Sequence, residues 1–265
     1  IQLVPYASGV YVVVVSASKA NFQKQYYSFT LAVADAPMFL TSTETAIAVT
    51  VGDWYEVHLF VNDSAGVYLP NASLNVVDPP TQLANYSIVD LQNGSYLLGF
   101  TFNSTGAYHL AVTAEVQNHA RQTVTFAVSV LPVPTTLSDR SGSSAVSTMV
   151  GVPYKIVLLY ERTDCSRLIE GATISVYVEK GPAIEWAATC NESGYVLRLV
   201  ASTTGRRIVT VTASKPLYES GYFMFVFDVS PLPTALTADG LPEILLFNRS
   251  ESFVVEYYST TSSSG

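Results

Sequence analysis

Seven of the ten asparagines stand two residues before a serine or threonine: Asn62, Asn71, Asn85, Asn93, Asn103, Asn191 and Asn248. Asn-x-Ser/Thr is the acceptor pattern for an N-linked sugar. Ser and Thr make up about a fifth of the chain, so roughly two of ten asparagines would meet the pattern by chance. The excess predicts N-linked glycans, held at turns and strand ends where a sugar reaches solvent. Asn and Ser are also turn formers, which is the plainer reading of any single triplet. Five of the seven lie between Asn62 and Asn103, so that stretch would carry the densest coat. A protein-binding face is better sought in the second half.

Cys165 and Cys190 are the two cysteines, about 25 residues apart. No Cys-x-x-Cys pair or histidine cluster accompanies them, so the spacing is not that of a metal site. A disulfide between them would stabilise by roughly 3 kcal/mol through loop closure and would require an oxidising compartment. Two unrelated thiols are the alternative.

Catalytic chemistry finds little material. His58, His109 and His119 are the only histidines, and none adjoins a Gly-x-Ser-x-Gly nucleophile motif. Asp35, Asp53, Asp63, Asp78, Asp90 and Asp164 are dispersed, without the dense alternation of a calcium loop. Interdomain calcium stays open as an alternative. The chain is read as having no enzymatic activity, no cofactor, and neither a catalytic nor a metal residue.

Composition narrows the partners. Asp, Glu, Lys and Arg make up 13% of residues, apolar types 49% and aromatics 12%, and mean hydropathy is +0.30. Charge at about half the usual ~25% leaves Ser, Thr, Asn and any glycans to keep the surface wet. A net charge of −8 with scattered Lys and Arg gives no footprint for phosphate backbones, so nucleic acid is excluded as a partner. No apolar run is longer than that from Val10 to Val15, far short of the ~20 residues that span a bilayer. No membrane span, signal or anchoring segment is expected within these residues, and a parent sequence could hold them elsewhere.

Internal repetition organises the chain. Ser8-Gly9-Val10-Tyr11, Thr105-Gly106-Ala107-Tyr108 and Thr204-Gly205-Arg206-Arg207 recur with their glycines 97 and 99 residues apart. Each copy ends at a proline, Pro37, Pro134 and Pro233, spaced 97 and 99. Val51-Gly52-Asp53-Trp54 matches Val150-Gly151-Val152-Pro153, and Gly94-Ser95-Tyr96 matches Ser193-Gly194-Tyr195. The frame predicts the tail of one repeat (1–36), two complete repeats (37–133 and 134–232) and the head of another (233–265). The short proline-bearing junctions predict limited bending.

Within the first complete repeat, turn residues separate stretches of strand character at 38–43, 46–51, 55–61, 73–77, 86–91, 96–102, 108–116 and 121–130. Tyr55-Glu56-Val57-His58-Leu59 alternates apolar and polar, the period of a half-buried strand. About 100 residues with turns every 8–12 fit an antiparallel sandwich. The predicted fold class is all-β: tandem immunoglobulin-like antiparallel β-sandwiches of about 99 residues each.

The Gly-x-Tyr strand pairs alternating with a linking proline resemble the tandem immunoglobulin-like repeats of prokaryotic cell-surface, adhesin and surface-layer proteins. Gly9/Tyr11 and Gly106/Tyr108 resemble the tyrosine corner of such sandwiches, from which the later repeat departs at Arg207. Trp54 and Trp186 are expected at core or rim positions rather than as sugar platforms. The resemblance implies an extracellular structural module of a stalk, filament or surface lattice, whose partners are neighbouring repeats or copies of the same protein. An adhesin, a carbohydrate-binding repeat and accessory domains of a larger secreted hydrolase are the alternatives. Segments 1–36 and 233–259 are expected to be completed by further repeats or neighbouring subunits, since two strands alone expose edges and an apolar face.

Overall fold

Alternation of apolar and polar residues gives this chain strands with one inward face, and each such face must be covered by a second layer. The computed structural model describes residues 2–179, 183–239 and 254–259. Every element described is a strand. Residues 1–132 form one unit and 133–265 a second.

The first unit opens with β1 (Gly9–Ala17) and β2 (Gln25–Val33), an antiparallel pair. Eight strands follow: β3 (Met38–Ser42), β4 (Ala46–Thr50), β5 (Tyr55–Asp63), β6 (Ser73–Val77), β7 (Leu83–Asp90), β8 (Ser95–Phe102), β9 (Gly106–Glu115) and β10 (Gln122–Leu131). They make two four-stranded sheets, in the orders β3-β5-β8-β7 and β4-β10-β9-β6. All neighbours are antiparallel except β4 and β10. In immunoglobulin lettering these are ABED and CFG, with strand A divided between the sheets so that its second part runs parallel to G.

The second unit repeats the plan with β11 (Thr135–Asp139), β12 (Ala145–Met149), β13 (Tyr154–Arg162), β14 (Thr173–Glu179), β15 (Ile184–Asn191), β16 (Gly194–Ala201), β17 (Gly205–Ser214) and β18 (Gly221–Ser230). Their orders are β11-β13-β16-β15 and β12-β18-β17-β14. A further antiparallel pair follows, β19 (Thr234–Asp239) with β20 (Val254–Ser259). The chain is all-β, built of antiparallel immunoglobulin-like sandwiches in tandem.

The cores lie between the sheets. In the first, Val57, Leu59 and Val61 on β5 and Leu98, Phe100 and Phe102 on β8 meet Leu110 and Val112 on β9 and Phe126 and Val128 on β10, all buried. Each contributes roughly 1.5–3 kcal/mol relative to an exposed side chain. Leu158, Leu197, Leu199, Val209, Val211, Phe225 and Phe227 fill the second. Phe100 and Phe102 meet edge to face at 5.9 Å, as Phe225 and Phe227 do at 6.4 Å.

The residue leading into each sandwich is fastened to that sandwich's own F–G turn. Ala36 donates to the Asn118 carbonyl at 2.8 Å and accepts from Ala120 at 2.9 Å; Val133 does the same with Leu217 at 2.8 Å and Glu219 at 3.0 Å. Asn118 and Leu217 sit at positive φ, 62° and 72°, which aims both turn carbonyls at the incoming strand.

Candidate functional site

The sequon asparagines follow the strand plan. Asn71, Asn85, Asn93, Asn103 and Asn191 are exposed and Asn62 is half-buried, while Asn248 lies outside the described residues. Asn85 is on the edge strand β7 and Asn93 in the turn between β7 and β8. Asn62 is on β5, Asn71 in the loop after it, and Asn103 just beyond β8. In the first sandwich these positions gather on the β3-β5-β8-β7 sheet, its edge and its loops. Asn191 ends β15, the edge strand of the corresponding sheet in the second. The Oδ1 atoms of Asn93 and Asn191 accept the backbone N–H two residues on, from Ser95 at 3.0 Å and Ser193 at 2.9 Å. This Asx turn is the local geometry that makes asparagine a turn former.

Cys165 and Cys190 are both free and exposed. Cys165 occupies the tip of a narrow ribbon after β13, where Arg162 N–H reaches the Arg167 carbonyl at 3.0 Å and Ile169 N–H the Tyr160 carbonyl at 2.8 Å. Cys190 pairs in register with Tyr195, and Tyr195 with Leu158 on β13. Both thiols therefore belong to the end of the sandwich that carries the B–C and D–E loops.

Arg162 and Asp164 form an ion pair at 2.6 Å in the same ribbon. The guanidinium hydrogen bond holds the Asp164 carboxyl at about 2, below its ordinary value. Lys215 donates to the Glu170 carbonyl at 2.8 Å and lies 5.4 Å from the centre of the Tyr218 ring.

Two tyrosines fasten this loop end, a role not read from the sequence. The Tyr96 hydroxyl accepts the Ala72 N–H at 2.7 Å, and Tyr195 accepts that of Ala172 at 2.8 Å and donates to the Ile169 carbonyl at 2.6 Å. Burial raises both phenols above their usual value. The repeated Gly94-Ser95-Tyr96 and Ser193-Gly194-Tyr195 marked the residues, but their partners lie 23–27 positions away. Gly194, at φ 121°, passes so close to β13 that a Cβ would stand 2.5 Å from the Leu158 oxygen.

The tyrosine corner is present where the motif placed it. Tyr11 donates to the Ala7 carbonyl at 2.8 Å and Tyr108 to the Thr105 carbonyl at 3.0 Å. Arg207 occupies the matching place in the second sandwich and does the same work with a different head group: its guanidinium donates to the Thr203 carbonyl at 2.9 Å and the Gly205 carbonyl at 3.2 Å. It is buried, and its Nε has no partner.

Trp54 is a rim residue, 45% exposed, lying over Gly99 of the neighbouring strand so closely that a Cβ there would meet its ring at 2.2 Å. Its indole N–H donates to Glu56 at 3.0 Å. Trp186 is 43% exposed on β15. His58 and His109 stand on the outer faces of β5 and β9, and His119 is in the F–G turn. No group of three or more His, Cys, Asp or Glu is placed to hold a metal among the described residues.

No family model and no curated protein matches the sequence. Solved structures do show likeness. Titin domains A168–A170 are 13% identical over 76% of this chain and 68% of theirs, at a TM-score of 0.44. The Yersinia pseudotuberculosis adhesin InvE is 13% identical over 72% of this chain and 58% of its own, at 0.36. Domains 4–9 of the surface layer protein SbsC are 12% identical over 89% and 38%, at 0.32. The match spans less than two thirds of the adhesin and surface-layer chains. The immunoglobulin-like assignment here rests on strand order and pairing.

Proposed function

We propose that this chain is a structural repeat module of an extracellular, glycosylated cell-surface protein, supplying part of a stalk, filament or surface lattice. The observation that carries the reading is the duplication of one plan, down to the lead-in residue fastened to its own F–G turn at Ala36 and again at Val133. Such a plan multiplies length without adding chemistry. Protease shaving of intact cells that make the parent protein tests it: release of its peptides is expected, and complete protection until lysis would overturn the reading.

The same duplication supports dividing the chain at 1–36, 37–133, 134–232 and 233–265. Val13 pairs with Phe29 as Leu110 does with Phe126, at an offset of 97. β19 pairs antiparallel with β20 as β11 does with β13. β1–β2 thus correspond to strands F and G, and β19–β20 to A and B.

Glycans at Asn62, Asn71, Asn85, Asn93, Asn103, Asn191 and Asn248 would coat the charge-poor surface, the first sandwich most densely. A fall in the intact mass of native protein on deglycosylation is the expected result. A bond between Cys165 and Cys190 would clip the loop end of the second sandwich. Non-reducing peptide mapping of secreted protein should recover the linked peptides; two alkylatable thiols in that material would dismiss it.

A further inference from the structure

The outer face of the β12-β18-β17-β14 sheet differs from its counterpart in the first sandwich. Tyr177, Tyr222 and Met224 are 66%, 68% and 63% exposed on it, and Ile208 is exposed beside them. Strand register makes them contiguous. Tyr177 and Met224 both pair with Thr210 from either side, Tyr222 pairs with Thr212 one step along, and Ile208 pairs with Val226 one step back. The matching positions in the first sandwich are Val77, Thr123, Thr125 and His109 around Ala111. Large apolar side chains gathered on one exposed face mark an interaction site rather than ordinary surface scatter. Tyr and Met are the types enriched at interface cores.

We infer that this face is a self-association surface, and that its occupant is the same face of a second copy of this chain. Charge and shape support a second copy. The chain carries −8 overall, whereas this face holds only Glu179, Arg206 and Asp228, and Arg206 and Asp228 are cross-strand partners. Two acidic molecules can approach there without strong repulsion.

The register also permits an isologous contact, in which each residue meets the same partner on both copies. A two-fold axis across the strands, along the Tyr177–Thr210–Met224 row, sets each of those residues against its own copy. It sets Tyr222 against Val226 and Ile208 against Thr212. Arg206 then faces Ser214 and Glu179 faces Ser175, so no charge meets a like charge. None of the seven sequons falls on β12, β14, β17 or β18, so the proposed glycans leave this face bare.

Area sets the strength. The four strands of the face, β12, β14, β17 and β18, are 5, 7, 10 and 10 residues long. At about 3.3 Å per residue and about 4.8 Å between strands, the face measures roughly 500 Å². Two such faces bury about 1,000 Å², at the low end for a specific interface, so the contact is weak singly and effective when repeated. The inference rests on the structural-module reading only in choosing a second copy as occupant.

Sedimentation velocity of the 265-residue chain over rising concentration tests the face itself. A reversible dimer is expected, with a dissociation constant on the order of 10⁻⁴ M. Met224→Arg should weaken it by roughly tenfold or more, and Tyr177→Ser should weaken it as well. Tyr86→Ser, at an exposed position on the edge strand β7 of the first sandwich, should leave it unchanged. Circular dichroism of each variant confirms the fold. A chain that stays monomeric at about 1 mM overturns the inference. So does association insensitive to both Met224→Arg and Tyr177→Ser, as a contact through exposed Val10, Val12 and Val14 would be. Tyr222-dependent binding of soluble polysaccharide by a strictly monomeric chain would assign the face to a sugar instead. Shaving of intact cells tests the cell-surface reading separately, so failure of one leaves the other standing.

Discussion

Tyr108 and Arg207 hold the same corner of two sandwiches built to one plan, and the contrast shows how far a position can change while its task stays fixed. Tyr108 stacks on Phe102 at 4.9 Å and turns its hydroxyl back to the preceding loop. Arg207 reaches the Thr203 and Gly205 carbonyls with its guanidinium, but takes a positive charge out of water, forms no ion pair among the described residues and leaves Nε unpartnered. The backbone there needs a donor, and either head group supplies one. Only the arginine adds a desolvation cost.

The cores should differ least, and their disruption gives the largest expected effects. Phe100→Ala and Leu199→Ala remove matching β8 and β16 side chains that are fully buried. Losses of about 3–5 and about 2–5 kcal/mol follow from transfer and cavity terms. Urea unfolding followed by a probe in each sandwich measures them. Equal loss in both sandwiches from one substitution would show that the units unfold together.

Next come the loop fasteners. Tyr96→Phe and Tyr195→Phe each leave a backbone N–H, that of Ala72 or Ala172, without its acceptor, and should cost about 1–3 kcal/mol. Tyr195→Phe should cost more, because its hydroxyl also donates to Ile169 at 2.6 Å, against 3.4 Å from Tyr96 to Leu69. Denaturation midpoints decide the order.

Arg207→Tyr sharpens the opening contrast directly. It restores the corner with a neutral donor and is expected to raise the stability of the second sandwich by about 1 kcal/mol. A fall instead would show that the guanidinium's several bonds outweigh its desolvation.

The smallest effect is a titration. The Asp164 carboxyl is lowered to about 2 in the folded protein by the Arg162 hydrogen bond, from an ordinary 3.8. A depressed carboxyl adds stability that is present above the ordinary value and is lost as pH falls through the folded one. The ribbon contact should therefore persist at pH 5 and open between about pH 4 and pH 2. Carboxyl chemical shifts report it, and Arg162→Gln should return the midpoint to the ordinary value.

Strands and sandwich class were legible in the sequence because each follows from a local or periodic property. The stretch expected at 73–77 is β6 (Ser73–Val77), and the alternation from Tyr55 to Leu59 puts Val57 and Leu59 in the core and Glu56 and His58 outside. The tyrosine corner was legible because its partner lies three or four residues back. The hydroxyls of Tyr96 and Tyr195 were not, since their partners sit on a loop two strands earlier. Nor was the face around Met224, because Tyr177 and Tyr222 become neighbours only through β17.

The tail pair shows where each level of information stops. Val13, Val15, Phe29 and Leu31 hold the inward positions that Leu110, Val112, Phe126 and Val128 hold in the first sandwich, yet they are half-buried where those four are buried. Alternation by itself determined which side chains face inward, since successive residues of a strand must point to opposite sides. Whether that face is covered was decided only by the tertiary structure, because burial requires a second sheet whose strands come from distant parts of the chain.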